Sequence, residues 1–457
     1  MTFLSRAALA LAFCSAAAAP PASAVVCVDP DDASCQPTIQ AGVNAAVVGE
    51  VVEVASGLYN EEVAIATAGV VLTGGKGVFI DPSGLGAPAH AITITAANVV
   101  IDGIGIRNGD DHGIQVNGVG GVQILNVDMQ SPDDRCIDLV GTTPNVVIEG
   151  SRLRSCGDEA LASDLSNGLQ LLGNTIDGSD GVDAQGDNIL AERNTISRSG
   201  TCLGIEGANA VVTGNRFSQC GSGIDIVGSD PSVTRNTLTN TDGTAIDVEG
   251  DDLVVESNPI TGAGTGIDVF CELSCGTARV VRNRLTTING TALSAESLDA
   301  NLLIEANQIS QAEGVGIALE TLGANVQGNR VSTAGGASDE CLDLDGDGNT
   351  ISGNSLASCG ADGIQVDGDN NTVEENRVSG TGDDGIDVAV DGATNSVLGN
   401  QASGASDNGV EVSEDATGTT VTDNQASGLH ADYCDGGTGT GGTDVPDDTT
   451  GCGDIDD

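Results

Sequence analysis

Val211-Val212-Thr213-Gly214-Asn215 and, a few residues on, Gly223-Ile224-Asp225-Ile226 decide how this chain folds. In both pieces aliphatic and polar residues alternate, the period of an extended strand with one buried side. The block then returns along the chain: an aliphatic residue, Asn, a variable residue, an aliphatic, a glycine-rich turn, and Gly-Ile-Asp-Val or a relative. The Asn stands at Asn126, Asn174, Asn194, Asn215, Asn236, Asn258, Asn283, Asn307, Asn329, Asn354, Asn376, Asn400 and Asn424, with Ser151 filling one slot and Gly74 and Gly103 two earlier ones, a spacing of about 23 residues. Strands this short cannot bury a face within one block, so each block must stack on the next at about 4.8 Å. The pattern predicts an all-β, single-stranded right-handed parallel β-helix of about 15–16 coils over residues 50–434.

The recurring Asn then falls at a bend, one amide above another, where stacked side chains pass hydrogen bonds up the column. A leucine-rich repeat would also carry an Asn, but its Leu-x-x-Leu-x-Leu pattern does not recur. A β-propeller would want longer blades and aromatics. Composition agrees with a narrow aliphatic core: of 457 residues 66 are Gly, 2% are aromatic, and Trp is absent. The net charge of -52 repels phosphate backbones and anionic membrane surfaces, which excludes nucleic acid as a partner.

Residues 1–24 read as a secretory signal peptide: Arg6, an Ala/Leu run, then Ala22-Ser23-Ala24 as a cleavage site. Phe13 before Cys14 argues against a lipoprotein signal. No later apolar stretch spans a bilayer, so the product is expected to be secreted or periplasmic, without an integral membrane anchor, and monomeric. The remaining cysteines fall into neighbouring pairs, Cys27/Cys35, Cys136/Cys156, Cys202/Cys220, Cys271/Cys275, Cys341/Cys359 and Cys434/Cys452, which outside the cytoplasm reads as six disulfides. Several would staple one coil to the next. Residues 25–49 hold a helix over Thr38–Val48, with Ile39, Val43, Ala46 and Val47 on its apolar side, covering the first coil. Residues 435–457 form an acidic Gly/Thr/Asp-rich tail or cap. The run Gly49-Glu50-Val51-Val52-Glu53-Val54-Ala55-Ser56-Gly57-Leu58-Tyr59-Asn60-Glu61 after that helix resembles the first coil of secreted β-helix proteins of the pectin-lyase-like superfamily. The resemblance extends over roughly Thr38 to Asp435.

Three sets of residues carry candidate chemistry. The turn before the Gly-Ile-Asp-Val strand gathers Asp110-Asp111-His112, Asp133-Asp134-Arg135 with Asp138, and Asp158-Glu159 on three successive coils. Paired carboxyls whose pKa values are pushed apart can act as acid and base in glycoside hydrolysis, so Asp111, His112, Asp134, Arg135, Asp138 and Asp158 form the candidate catalytic set. The superfamily's polygalacturonases look similar in placing Asp pairs on neighbouring coils, but their Gly-His-Gly and Arg-x-Lys motifs have no match here. The outward position of that strand runs Gln115, Asp138, Ala162, Asp183, Gly204, Asp225, Asp247, Asp268, Ser294, Ala318, Asp343, Gln365, Asp387, Glu411. Asp183, Asp225, Asp247 and Asp268 are its candidate substrate-binding members, against the plainer reading of a solubilising acidic face. No cofactor is required; the metal for which the chain offers a pattern is calcium, at Asp343, Asp345, Asp347 and Asn349. His90, His112 and His430 look scattered. Arg216, Arg284, Arg330 and Arg377 offset nearby acids on another strand. Three functions stay open: a polysaccharide binder, with or without cleavage of its ligand and with a neutral glycan favoured over a polyuronate by charge; a non-catalytic extracellular or cell-surface scaffold and adhesion module; or a periplasmic metal-handling role. The last is implied by a resemblance to β-helix proteins of copper-enzyme maturation, against which Met1, Met129 and the scattered histidines give copper little to bind.

Overall fold

The computed structural model describes residues 25–443 except 86–89, 110, 272–277, 298–300, 335, 337–338, 389–392, 414–415 and 430. Residues 1–24, where a signal peptide is expected, residues 444–457 of the expected tail, and Asp110, Cys275, His430 and Cys452 lie outside the described residues.

Each coil lays down three short strands. In one of them Val211–Thr213 lies on face A, Arg216–Cys220 on face B and Ser222–Val227 on face C. Face A is a 19-stranded sheet, while faces B and C together make a 32-stranded one. They merge because Thr237–Glu249 and Pro259–Cys271 run unbroken round the corner between them. Strands pair in parallel, Val211 with Ser232 on face A, Phe217 with Leu238 on face B and Ile224 with Ile246 on face C. The result is a right-handed parallel β-solenoid of about 17 turns with one short helix. Inward residues such as Ile224, Ile246 and Ile267 are fully buried, and among the described residues Phe217 is the largest fully buried side chain. The Gly of Gly-Ile-Asp-Val is there for clearance: a Cβ on Gly223 would sit 2.2 Å from the Ala245 carbonyl oxygen of the next coil.

The Asn column lies inside the corner between faces A and B. The residue before each Asn turns the chain at positive φ, as Arg235 (φ 56) does before Asn236 and Ser257 (φ 59) before Asn258. The turn leaves the Asn N–H without a strand partner, and the amide of the next coil supplies one: Asn236 N donates to Asn258 Oδ1 at 2.8 Å, and Asn258 N to Asn283 Oδ1 at 2.9 Å. Each Nδ2 donates backwards, Asn258 Nδ2 to the Val233 carbonyl at 3.0 Å. The ladder runs from Ser151 to Asn424. Asn126, Gly74 and Gly103 do not belong to it. Asp128 pairs with Arg152, so Ser151 matches Val127 and Asn126 stands one residue earlier, exposed at the turn position with φ 51. The first coils fill the corner with Ile104 and Val127 instead.

The helix is shorter than the apolar spacing predicts, Ile39–Ala45. Thr38 Oγ1 accepts from Ala41 N, and the Glu61 carboxylate accepts from Ile39 N and Gln40 N. With Ala46 already extended, Val47 and Val48 are left 61% and 74% exposed rather than on its apolar side. Parallel stacking also reaches past the limits of 50 and 434: Val25–Val28 precedes the helix and pairs with Val51–Val54, and Gly441–Gly442 pairs with Thr420–Thr422. Four disulfides lie wholly among the described residues, with Cα–Cα distances of 5.0 Å for Cys27–Cys35, 5.4 Å for Cys136–Cys156, 5.6 Å for Cys202–Cys220 and 5.2 Å for Cys341–Cys359. The last three join adjacent coils, where stacking supplies the span.

Candidate functional site

Face C carries the outward series in one axial line. Gln115 pairs with Asp138, Asp138 with Ala162 and Ala162 with Asp183, and further along Asp225 pairs with Asp247 and Asp247 with Asp268. Beside it runs a second line, two residues ahead of the first inward aliphatic of each face-C strand: His90, His112, Arg135, Glu159, Asp180, Thr201, Ser222, Thr244, Thr265, Thr291, Val315, Glu340, Asp362, Asp384 and Asn408. Backbone bonds between coils hold it, Ala91 N donating to the His112 carbonyl, Gly113 N to that of Arg135, and Cys136 N to that of Glu159. Titratable groups occupy its two ends and hydroxyls its middle.

At the N-terminal end the stacking gathers Asp111, His112, Asp134, Arg135 and Asp138. Asp138, 5% exposed, sits at the centre. It accepts from Arg135 Nη1 at 3.1 Å and from Gln115 Nε2 at 3.1 Å, and His112 Nε2 lies 3.3 Å from its Oδ2. Arg135 Nε also donates to Glu159 at 2.8 Å. Burial works against the Glu159 charge, but Arg135 outweighs it and holds this carboxyl below its usual range. Burial and the neighbouring Glu159 charge push Asp158 the other way, upward. Asp138 is buried beneath His112 and Arg135, which it contacts; Asp134 and Asp158 stand nearer solvent.

Two members escape a reading of the sequence. Glu159, not Asp158, is the carboxylate that holds Arg135. The histidines are not scattered: His90 and His112 stack at 5.0 Å between ring centroids and 6° between planes. The signal was their separation of one coil length. A concavity of about 610 Å³ opens directly beside this end, lined by Glu159, Asp180, Asp183, Thr201, Ser222 and Asp225 among others. Burial and neighbouring charge raise the pKa of Asp183, and burial that of Asp225; Asp247 is pushed up to about 6 by burial and by Asp268 and Asp225.

The calcium pattern does not converge. Asp343 lies outward on face C, and Asp347 accepts from Asp369 N in a turn. Asn349 is 1% exposed and belongs to a second internal ladder: its Oδ1 accepts from Ala324 N and Thr321 Oγ1, and its N donates to Asn371 Oδ1. An amide oxygen already accepting two bonds inside the core is no ligand for an outward loop. The far end of the second line is instead acidic and buried. Asp362 accepts from Asp384 N at 2.7 Å and Asp384 from Asn408 N at 2.6 Å. Arg216, Arg284, Arg330 and Arg377 are exposed on face B, away from both ends.

A family model described as "Right handed beta helix region" matches residues 180–331 and 274–426. No curated protein matches the chain by sequence. Among solved structures, a hyperthermoactive exopolygalacturonase from Thermotoga maritima is 15% identical over 49% of this chain and 67% of its own, with a TM-score of 0.33. The family 28 exopolygalacturonase of Yersinia enterocolitica is 11% identical over 92% and 78%, TM-score 0.35. PfbA, a surface adhesin of Streptococcus pneumoniae, is 11% identical over 88% and 88%, TM-score 0.32. Likenesses this distant carry no argument about activity. Among the described residues no helix is long and apolar enough to cross a membrane.

Proposed function

The chain belongs to the right-handed beta-helix family, and from that premise we propose that it is an extracellular protein whose face C binds an extended neutral polysaccharide and hydrolyses it at the N-terminal cluster. The observation that carries this reading is the continuity of that cluster with the open concavity: Glu159 belongs to both. A polymer lying along the axis meets a fresh coil about every 4.8 Å. Carboxylates at Asp183, Asp225, Asp247 and Asp268 accept from sugar hydroxyls, and the Thr201 and Ser222 hydroxyls donate and accept. Aromatic rings are sparse on this face: Phe270, two residues past Asp268, is half-buried at an outward position between Glu249 and Glu296. The same carboxylates disfavour a polyuronate. The disulfides fit an oxidising, extracellular setting.

In the hydrolytic step Asp158, whose pKa burial and the Glu159 charge push upward, is the carboxyl assigned to protonate the leaving oxygen. Asp134, on the preceding coil and open to solvent, accepts the proton of the water that bonds to the anomeric carbon as the bond to the leaving oxygen breaks. Arg135 and Asp138 hold the neighbouring side chains in place. The test is incubation with β-glucan, xylan and galactomannan, with polygalacturonate as charged control, followed by assay for binding and for new reducing ends. The reading expects product from a neutral polymer, and its loss in Asp158→Asn and Asp134→Asn with binding retained. Binding without product from the native chain would favour the non-catalytic adhesion module; neither binding nor product overturns the proposal.

A further inference from the structure

We propose that His90, Asp111 and His112 form a site for one transition-metal ion of the zinc class, independent of whether face C binds a glycan. The three side chains come from two adjacent coils, and their ligand atoms lie within 4.8 Å of one another. His90 Nδ1 is 3.6 Å from Asp111 Oδ2, and His112 Nδ1 is 3.5 Å from Asp111 Oδ1. Both Nδ1 atoms are buried without a hydrogen-bond partner. His112 is only 9% exposed, so its idle nitrogen cannot turn to bulk water.

The distances discriminate between explanations. An imidazolium paired with a carboxylate would close to about 2.7–2.9 Å. Two ligands sharing a tetrahedral ion, each about 2.0–2.2 Å from it, stand roughly 3.4 Å apart. The separations of 3.5 and 3.6 Å match the second case. The ring orientation matches too: His112 Nε2 faces Asp138 Oδ2 at 3.3 Å, which leaves Nδ1 as the nitrogen turned toward Asp111. That carboxylate–histidine arrangement is how metal-bound imidazoles are oriented. Asp134 Oδ2, 3.6 Å from the same Nδ1, flanks the site on its exposed side. Two nitrogens select zinc, cobalt or nickel over calcium and magnesium, which take oxygen.

The test uses the secreted chain stripped with EDTA and dialysed against ZnCl2, CoCl2, CaCl2 or MgCl2 in turn, without glycan, with bound metal counted by elemental analysis. One zinc per chain is expected, with cobalt giving the visible absorption of a low-coordinate nitrogen site. His90→Ala and His112→Ala should abolish the stoichiometric zinc, while their unchanged melting temperature in EDTA shows that the solenoid is intact. Asp138→Asn, which keeps the three ligands and removes the carboxylate facing His112 Nε2, should weaken zinc by about 10–100-fold. Zinc retained in both histidine variants, calcium bound as tightly as zinc, or no zinc in the native chain would each overturn the assignment. If an alanine variant is less stable in EDTA, His90→Gln must show the same loss of metal for the assignment to stand.

Discussion

Replacing Asn258 by Ala tests the device that holds the coils in register. Asn258 is fully buried, and its Oδ1 is the acceptor for Asn236 N at 2.8 Å, while its Nδ2 donates to the Val233 carbonyl at 3.0 Å. Truncation leaves both backbone groups dry and unpaired. Each costs about 1–3 kcal/mol, so the loss should be about 2–6 kcal/mol before any cavity term. Asn126→Ala is the matched control. Its side chain is exposed and donates to Asp102, so its change should stay near the roughly 1 kcal/mol that Ala costs at the positive φ of this turn. Urea unfolding by circular dichroism gives the two stabilities, and amide exchange gives the locality: Asn236 N–H should lose protection in the first variant alone. Equal stability of the two variants, with Asn236 still protected, would refute the ladder as a structural element.

Burial, then neighbouring carboxylates, pushes Asp362 up to about 7 and Asp387 to about 8, with Asp384 raised as well. An acid whose folded pKa is raised contributes stability below its unfolded value near 3.8 and loses it as pH climbs through the folded value. The melting temperature should therefore fall between about pH 4 and pH 8, and Asp387→Asn should flatten that slope; a slope unchanged by the substitution counts against these groups. Replacing Cys202 and Cys220 by Ala together should cost about 3 kcal/mol in urea unfolding, since the bridge closes a loop of 18 residues; a cost below about 1 kcal/mol would mean the stacked coils need no staple. Asp225, Asp247 and Asp268 are register neighbours on face C, so added NaCl should raise the melting temperature, and the triple Asn variant should respond less.

The period of the repeat made the solenoid legible because stacking converts sequence spacing directly into contact. Every outward face-C position from Gln115 to Glu411 lies in the line that the repeat gives it. Where the repeat is degenerate the reading slipped by one residue: Asn126 looks like a ladder Asn, but the turn before face B admits Asn at positive φ as readily as Gly. Asn349 looked like a calcium ligand because three alternating Asp precede it; only the inward turn of the chain after Gly346 shows that its amide closes a second ladder. The histidine pair was hidden for another reason. His90 and His112 share no local motif and meet because one coil length separates them. Likewise Glu159 and Asp158 differ by one position and take opposite pKa shifts, a difference set by which of them reaches Arg135.

Carboxyl footprinting tests the central claim most directly. The chain is labelled with a carbodiimide and an amine, with and without the neutral polysaccharide that it retains, and the modified residues are located by mass spectrometry. The account predicts protection of Asp183, Asp225, Asp247 and Asp268 on face C and none of Glu256 or Glu374, which lie on face A. Protection spread over both faces, or confined to face A, would contradict it.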